Sequence, residues 1–371
     1  MKKLSANFVR CLAFLLALCC FAPVSFAATG EARDCALSIG FFPGVPAASP
    51  APRPTTMPDG LCLCPGGMPF GIRVKTQGVM IVRLGDVISG GKSVSPAREA
   101  GVRVGDVLLA LDGKAIADAE EATRRIAESN GKALTLSVLR GEEELSLTVT
   151  PRKADADGRY QCGLLIRDAA SGIGTVTFFD SESGLFGGLG HGVCDSDTGK
   201  LIPLSRGIVQ DVRICGVQRG ESGKPGELQG GFTGRRLGSV VTNGECGVFG
   251  VLNELPKGKY APVPVARAKE VEAGKATLLC TLGEDGIGEY EVEISNLDRG
   301  ARPTKSFTVH VTDPRLLART GGIVQGMSGS PLLQNGKLIG AVTHVLVEDP
   351  TTGYGIFLEN MYTHMQMRQV A

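Results

Sequence analysis

Apolar and polar positions alternate with a period of two through Leu134, Leu136 and Val138, and again through Leu145, Leu147 and Val149. That spacing predicts two strands of a hairpin turning at Arg140-Gly141. Upstream, Gly71–Val74 and Gly78–Val82 read as short strands, and Val104–Leu111 leads into a tight Asp112-Gly113 turn. Ser95–Gly101 predicts a short helix closed by glycine. Asp118 caps a second helix with Glu121 three positions on and Asn130-Gly131 at its end, which puts Ala122 and Ile126 on one face. From about Asp155 onward the pattern is all-β. Candidate strands there are Gly174–Phe179, Gly207–Ile214, Ser239–Leu252, Ala276–Leu282, Tyr290–Ile294, Ser306–Val311, Leu338–Val347 and Tyr354–Leu358, and only Pro314–Thr320 hints at a helix. So many short strands suit a pair of packed barrels or a sandwich.

Composition supports this picture. The 371 residues include 52 glycines and no tryptophan, and their length predicts two or three domains. A formal net charge of +1 gives no electrostatic reason to expect nucleic acid. Lys2, Lys3 and Arg10 precede an apolar run over Cys11–Ala22, with the small-residue site Ser25-Phe26-Ala27 behind it. This is the pattern of a cleaved signal peptide, with an uncleaved anchor over Phe8–Ala28 as the alternative. Pro46, Pro50, Pro52, Pro54 and Pro58 mark an extended spacer. The expected layout is an export segment (1–27), a Pro-rich linker (28–64), a first folded domain (65–153) and a second (154–371). Eight cysteines lie beyond the export segment, and their pairing is not readable from spacing. Cys62-x-Cys64 lacks a second knuckle and nearby histidines, so no metal site is expected.

The chemistry gathers on glycine-set residues. Gly326-Met327-Ser328-Gly329-Ser330-Pro331 suits a tight, exposed turn that presents a hydroxyl while aiming its own N–H groups at one point. A serine nucleophile needs a general base, and the chain has four histidines. His191 stands between glycines in Gly187-Gly188-Leu189-Gly190-His191-Gly192. His310 alternates on a strand, His344 follows the serine turn by one strand, and His364 lies in a polar tail. Ser328 occupies the third place of Gly-x-Ser-Gly-x-Pro, whereas Ser330, packed before Pro331, reads as a turn residue. For a carboxylate behind the histidine, Asp313 is preferred. Its competing reading is an Asx turn ahead of Pro314, and Asp195 and Asp197 read as turn residues.

Two resemblances follow from these motifs. The run Ala100–Leu108 resembles a PDZ domain of bacterial envelope proteases. By that resemblance Pro69-Phe70-Gly71-Ile72 is the carboxylate-binding loop, and Phe70, Gly71 and Ile72 with Ala122 and Ile126 line a peptide groove. The stretches Phe186–Gly192, Asp195–Gly199, Thr312–Pro314, Thr320–Pro331 and Ile339–Val345 resemble the S55 family of PA-clan serine peptidases. This implies a mainly β chain: a PDZ domain followed by a trypsin-like double β-barrel. It further implies His191 as general base, Ser328 as nucleophile, Asp313 as third member, and the N–H groups of Gly326 and Ser328 as oxyanion hole. The family's role implies export to the forespore intermembrane space, self-cleavage, and cleavage of a membrane-bound regulator in sporulation signalling, with no cofactor. The expected partners are a protein substrate, the chain itself and a PDZ peptide ligand. The rival from another class is a non-catalytic PDZ scaffold of the cell envelope.

Overall fold

The computed structural model describes residues 56–255, 261–300 and 303–365, all within one compact unit of residues 51–371. The expected export segment and most of the linker lie outside the described residues. The chain lays down β1 (Pro69–Leu84) and then builds a small domain from β2 (Val107–Leu111), α1 (Ala119–Glu128), β3 (Leu134–Arg140) and β4 (Glu143–Val149). It returns along β5 (Leu164–Phe179) and continues through β6 (Leu185–Gly188), β7 (Leu204–Gln218), β8 (Glu227–Gly244) and β9 (Gly247–Leu252). The last part comprises β10 (Gly274–Thr281), β11 (Ile287–Ser295), β12 (Phe307–Val311), α2 (Pro314–Thr320), β13 (Pro331–Gln334), β14 (Lys337–Leu346) and β15 (Asp349–Phe357).

Two strand rings result. β5 pairs with β6, and pairing continues through β9, β8, β7 and β1 until β1 meets β5 again, which closes a first six-stranded barrel. β10, β11, β12, β15, β14 and β13 close a second. Closure removes exposed strand edges, and the alternating apolar positions of each strand fill the two interiors. Phe307, Val309, Val311, Leu332 and Val342 lie in the second core, and Val74, Val176, Phe186, Val209 and Val248 in the first. The fold is thus mainly β: of the two arrangements the strand pattern allows it takes the pair of barrels, and the small α+β region stands where the PDZ resemblance places a PDZ domain.

The domain boundaries differ from expectation. Cys62–Pro65 is a strand paired with the end of β5, so the end of the expected linker belongs to the first barrel. Both β1 and β5 serve two cores. Pro69–Thr76 of β1 lies between β5 and β7 in the barrel, while Val79 and Met80 pair with β2 in the PDZ sheet. The PDZ core runs from Val79 to Cys162 and is inserted into the barrel between two of its strands.

The insertion corrects the expected groove. Phe70 and Ile72 are buried in the first barrel, where the Phe70 ring meets Phe186 edge-on at 5.7 Å between centroids. Gly71 is paired on both sides, with Ile173 and with Gln210. A strand hydrogen-bonded on both edges has no amides to offer a peptide. Ala122 and Ile126 do lie on the inner face of α1, within the PDZ core, and Leu164 and Ile166 at the start of β5 pack against that same cluster. The helix itself forms as expected, with the Asp118 carboxylate accepting from the Glu121 N–H at 2.8 Å.

Phe70→Ala separates the two placements. Removing a fully buried ring costs about 3–5 kcal/mol, so thermal unfolding should begin at markedly lower temperature. Peptide affinity of the PDZ region, measured below that temperature, should be unchanged.

Candidate active site

His191 sits on a sharp reversal that follows β6. Leu189 (φ 65°) and Gly190 (φ 69°) both take the left-handed conformation. For leucine this is strained, and burial of its side chain in the first core holds it there. A Cβ on Gly190 would come within 2.9 Å of Thr343 Cγ2, so the glycine lets the reversal press against β14 of the second barrel. His191 Nδ1 lies 2.9 Å from the Gly192 carbonyl oxygen. A carbonyl can only accept, so Nδ1 carries the proton and Nε2 keeps its lone pair.

The segment behind the histidine is clamped from two sides. Asn243, at the end of β8, accepts from the Val193 N–H at 2.8 Å and donates to the carbonyls of Val193 and Ile202, both at 2.9 Å. Sequence reading passed over Asn243, because the groups it ties lie 50 and 41 positions away and no local pattern marks them. Asp195 is a turn residue, as expected, accepting from the N–H groups of Asp197 and Thr198.

The serine turn is shaped by close approach. Gly329 (φ 92°) leaves no room for a side chain, because a Cβ there would lie 2.1 Å from the Thr175 carbonyl oxygen. Thr175, on β5, donates its N–H to the Ser328 carbonyl and its hydroxyl to the Gly326 carbonyl, each at 2.9 Å. Thr177 donates its hydroxyl to the Gly329 carbonyl at 2.8 Å. Within the turn, the amides of Met327, Gly329 and Ser330 donate to Val324, Val342 and Met327. The amides of Gly326 and Ser328 have no acceptor among the described residues, which leaves them available to a ligand oxygen. Ser328 is half-buried and donates its hydroxyl to the Thr343 carbonyl at 2.8 Å. Ser330 is fully buried and its hydroxyl has no partner among the described residues.

β14 brings the two segments together. Thr343 receives the serine hydroxyl, and the ring of the next residue, His344, faces the His191 ring at 5.0 Å between centroids. Burial lowers the pKa of His191 below its ordinary 6.5, partly offset by the Gly192 carbonyl. Burial, then repulsion from His191 and Lys305, pushes His344 down to about 4. Both imidazoles are therefore neutral near pH 7. The other histidines lie elsewhere, His310 bonded to Thr352 on an exposed strand face and His364 to the Asn360 carbonyl.

Asp313 is not brought to the imidazole, which corrects its expected placement. Its carboxylate caps α2, accepting from the N–H groups of Arg315 and Leu316, and pairs with the Arg315 guanidinium at 2.7 Å. Arg315 holds its pKa at about 2. The Asx turn ahead of Pro314 is thus the reading the structure favours, and among the described residues the Gly192 carbonyl is the group that orients the histidine. No group of three or more described His, Cys, Asp or Glu side chains is arranged to hold a metal.

Asp313→Ala should cost about 1 kcal/mol of stability by loss of the cap, read in thermal unfolding at neutral pH. Because the folded-state pKa is depressed, that contribution is present above the ordinary carboxylate value and lost as pH falls from about 4 to 2. Asp313→Asn keeps a capping acceptor and should retain activity within about threefold of the native chain.

A turn hydroxyl, two turn amides without acceptors and an imidazole whose Nε2 has no partner among the described residues, carried on two barrels, are the features of a serine peptidase. Residues 158–362, more than half of the chain, match the SpoIVB peptidase S55 family model, and residues 87–140 match a PDZ domain model. The chain belongs to the SpoIVB peptidase S55 family.

It is also similar to a putative serine protease, HhoA, of Synechocystis, with 43% identity over 77 residues, covering 20% of this chain and 18% of the relative. A putative zinc metalloprotease, LL2128, of Lactococcus lactis is 36% identical over 92 residues, covering 25% of this chain and 20% of the relative. The chain thus spans about a fifth of the length of these curated relatives. Among solved structures, the active form of the Rv3671c protease of M. tuberculosis is 16% identical, with 54% of this chain and 76% of that one covered and a TM-score of 0.33.

Proposed function

We propose that this chain is a regulatory serine endopeptidase in which Ser328 is the nucleophile, His191 the general base, and the Gly326 and Ser328 N–H groups the oxyanion hole. The observation that carries the reading is the serine turn. It leaves two of its own amides without acceptors beside a hydroxyl, and β14 brings that hydroxyl and His191 to adjacent residues.

The chemistry is acyl transfer. The Ser328 hydroxyl turns from the Thr343 carbonyl, gives its proton to His191 Nε2, and its oxygen bonds to the substrate carbonyl carbon. The carbonyl π pair moves onto oxygen and is held by the two amides. As the pair returns, the C–N bond breaks and the amine leaves with the proton from His191. Water then repeats the sequence: it gives a proton to Nε2, adds to the acyl carbon and releases the carboxylic acid and Ser328. A protein is the substrate class of a peptidase, and the PDZ region adds peptide binding.

The finer role we take from the family and the sequence. It is export by the basic and apolar N-terminal segment, self-cleavage, and cleavage of a membrane-bound regulator in the forespore intermembrane space during sporulation signalling.

A fluorophosphonate probe tests the assignment on the full chain. Ser328→Ala should abolish labelling, while Ser330→Ala, which removes an unpaired buried hydroxyl, should label normally and unfold at an equal or higher temperature. Absence of labelling in the native chain, with peptide binding intact, would instead support a scaffold.

The labelling rate should also follow one acid limb. Only neutral His191 can take the serine proton, so the rate is full above its pKa and falls as pH drops through it. With that pKa lowered by burial, the midpoint should lie below 6.5. A midpoint above 6.5, or a flat profile down to pH 4, would count against His191 as the base.

A further inference from the structure

β5 supports both halves of the site from one strand. Near its start, Arg167 lies opposite Met80 in the ribbon that carries the PDZ core. Its guanidinium pairs with Asp195 through one nitrogen and with Asp197 at 2.7 Å through the other. Asp195 is almost wholly buried and sits at the base of the turn that follows His191. It already accepts from the N–H groups of Asp197 and Thr198 there. A buried carboxylate stripped of its cation is strongly unfavourable, so the turn would shift or open without Arg167. Farther along the same strand, Thr175 holds the serine turn by its N–H and hydroxyl, and its own carbonyl accepts from the Leu189 N–H at 3.3 Å on the histidine side.

We propose that Arg167 and Thr175 are positioning residues for the catalytic pair, and that through Arg167 the PDZ module is a working part of the peptidase site instead of a separable tether. The inference rests on the assignment of Ser328 and His191 above. Neither residue is assigned a part in the bond-making steps. Arg167 fixes the segment behind His191, and Thr175 sets the serine turn, with its two free amides, against the histidine reversal. Displacements of about 1 Å in such an arrangement cost rate up to about 100-fold. They need not change how well a small reagent binds. Two further contacts join the PDZ region to the same turn. Thr198 lies against Met80 Sδ at 3.9 Å, and a Cβ on Gly105 would run into the Lys200 side chain.

The test is fluorophosphonate labelling of the full chain, resolved into a maximal rate and a half-saturating concentration. Arg167→Met and Thr175→Val should each lower the maximal rate about 10- to 100-fold at an unchanged half-saturating concentration. Thr175→Ser, which keeps the hydroxyl, should return to within about threefold of the native rate. The control is Arg140→Met, which breaks a comparable pair inside the PDZ core, Arg140 with the buried Asp106 at 2.7 Å. It should lower the unfolding temperature and leave the maximal rate alone. Should Arg167→Met fail to fold, Asp197→Asn removes the outer, half-exposed arm of the clamp and should still slow labelling several-fold. A native rate in Arg167→Met or Asp197→Asn overturns the proposal, and so does equal slowing by Arg140→Met. A native chain that does not label at all overturns the nucleophile assignment and this inference with it.

Discussion

The antiparallel pairing of β1 with β5 is made in two stretches. One is inside the PDZ region, between Leu164–Arg167 and the second half of β1, and the other inside the first barrel, from Ala169 to Thr175. Between them lies a register shift that turns the ribbon from one core into the other. Two domains joined by a flexible linker could reorient freely. Two domains that share a pair of hydrogen-bonded strands cannot, because any rotation would break ladder bonds on both sides of the shift. The placement of the PDZ region against the barrel, the clamp on the histidine turn and the support of the serine turn all follow from this shared ribbon.

Within that frame the site is assembled mostly from backbone. The histidine is oriented by a carbonyl of its own segment, the serine hydroxyl rests on the Thr343 carbonyl, and the free donors are two turn amides. Backbone groups bring little reorganisation and no net charge, which suits a buried site where an extra carboxylate would need its own counter-charge. With two neutral imidazoles 5.0 Å apart between ring centroids, adding a proton to either is opposed by burial, and at His344 by its neighbour as well. An imidazole that resists protonation at rest keeps its lone pair, which is the state the proposed general base needs.

The locally encoded parts of this arrangement were legible in the sequence. Alternation gave the β3–β4 hairpin, Asp118 and Glu121 gave the start of α1, and flanking glycines singled out His191 and Ser328, since each needs room for backbone to approach. What failed was long-range. Phe70, Gly71 and Ile72 read equally well as a groove strand or a barrel strand, because alternation says which face is buried and nothing about which strand lies beside it. Asp313 ahead of Pro314 fits a helix cap and a catalytic carboxylate alike, and only the neighbouring Arg315 and α2 amides decide the matter. Asn243 and Arg167 act on segments distant in sequence, and no local pattern marks such pairs.

The insertion of one domain inside another also bears on when the site comes into being. The hydrogen bond from Thr175 to Gly326 spans 151 positions, and that from Thr177 to Gly329 spans 152. Contacts of this separation repay their loop-closure entropy late, after local hairpins and the inserted domain have formed. Until the second ring has been made, β5 has no serine turn to hold, and the two turn amides are not yet in place. The topology therefore works as a timer: hydrolytic power appears only in chains that have completed both rings.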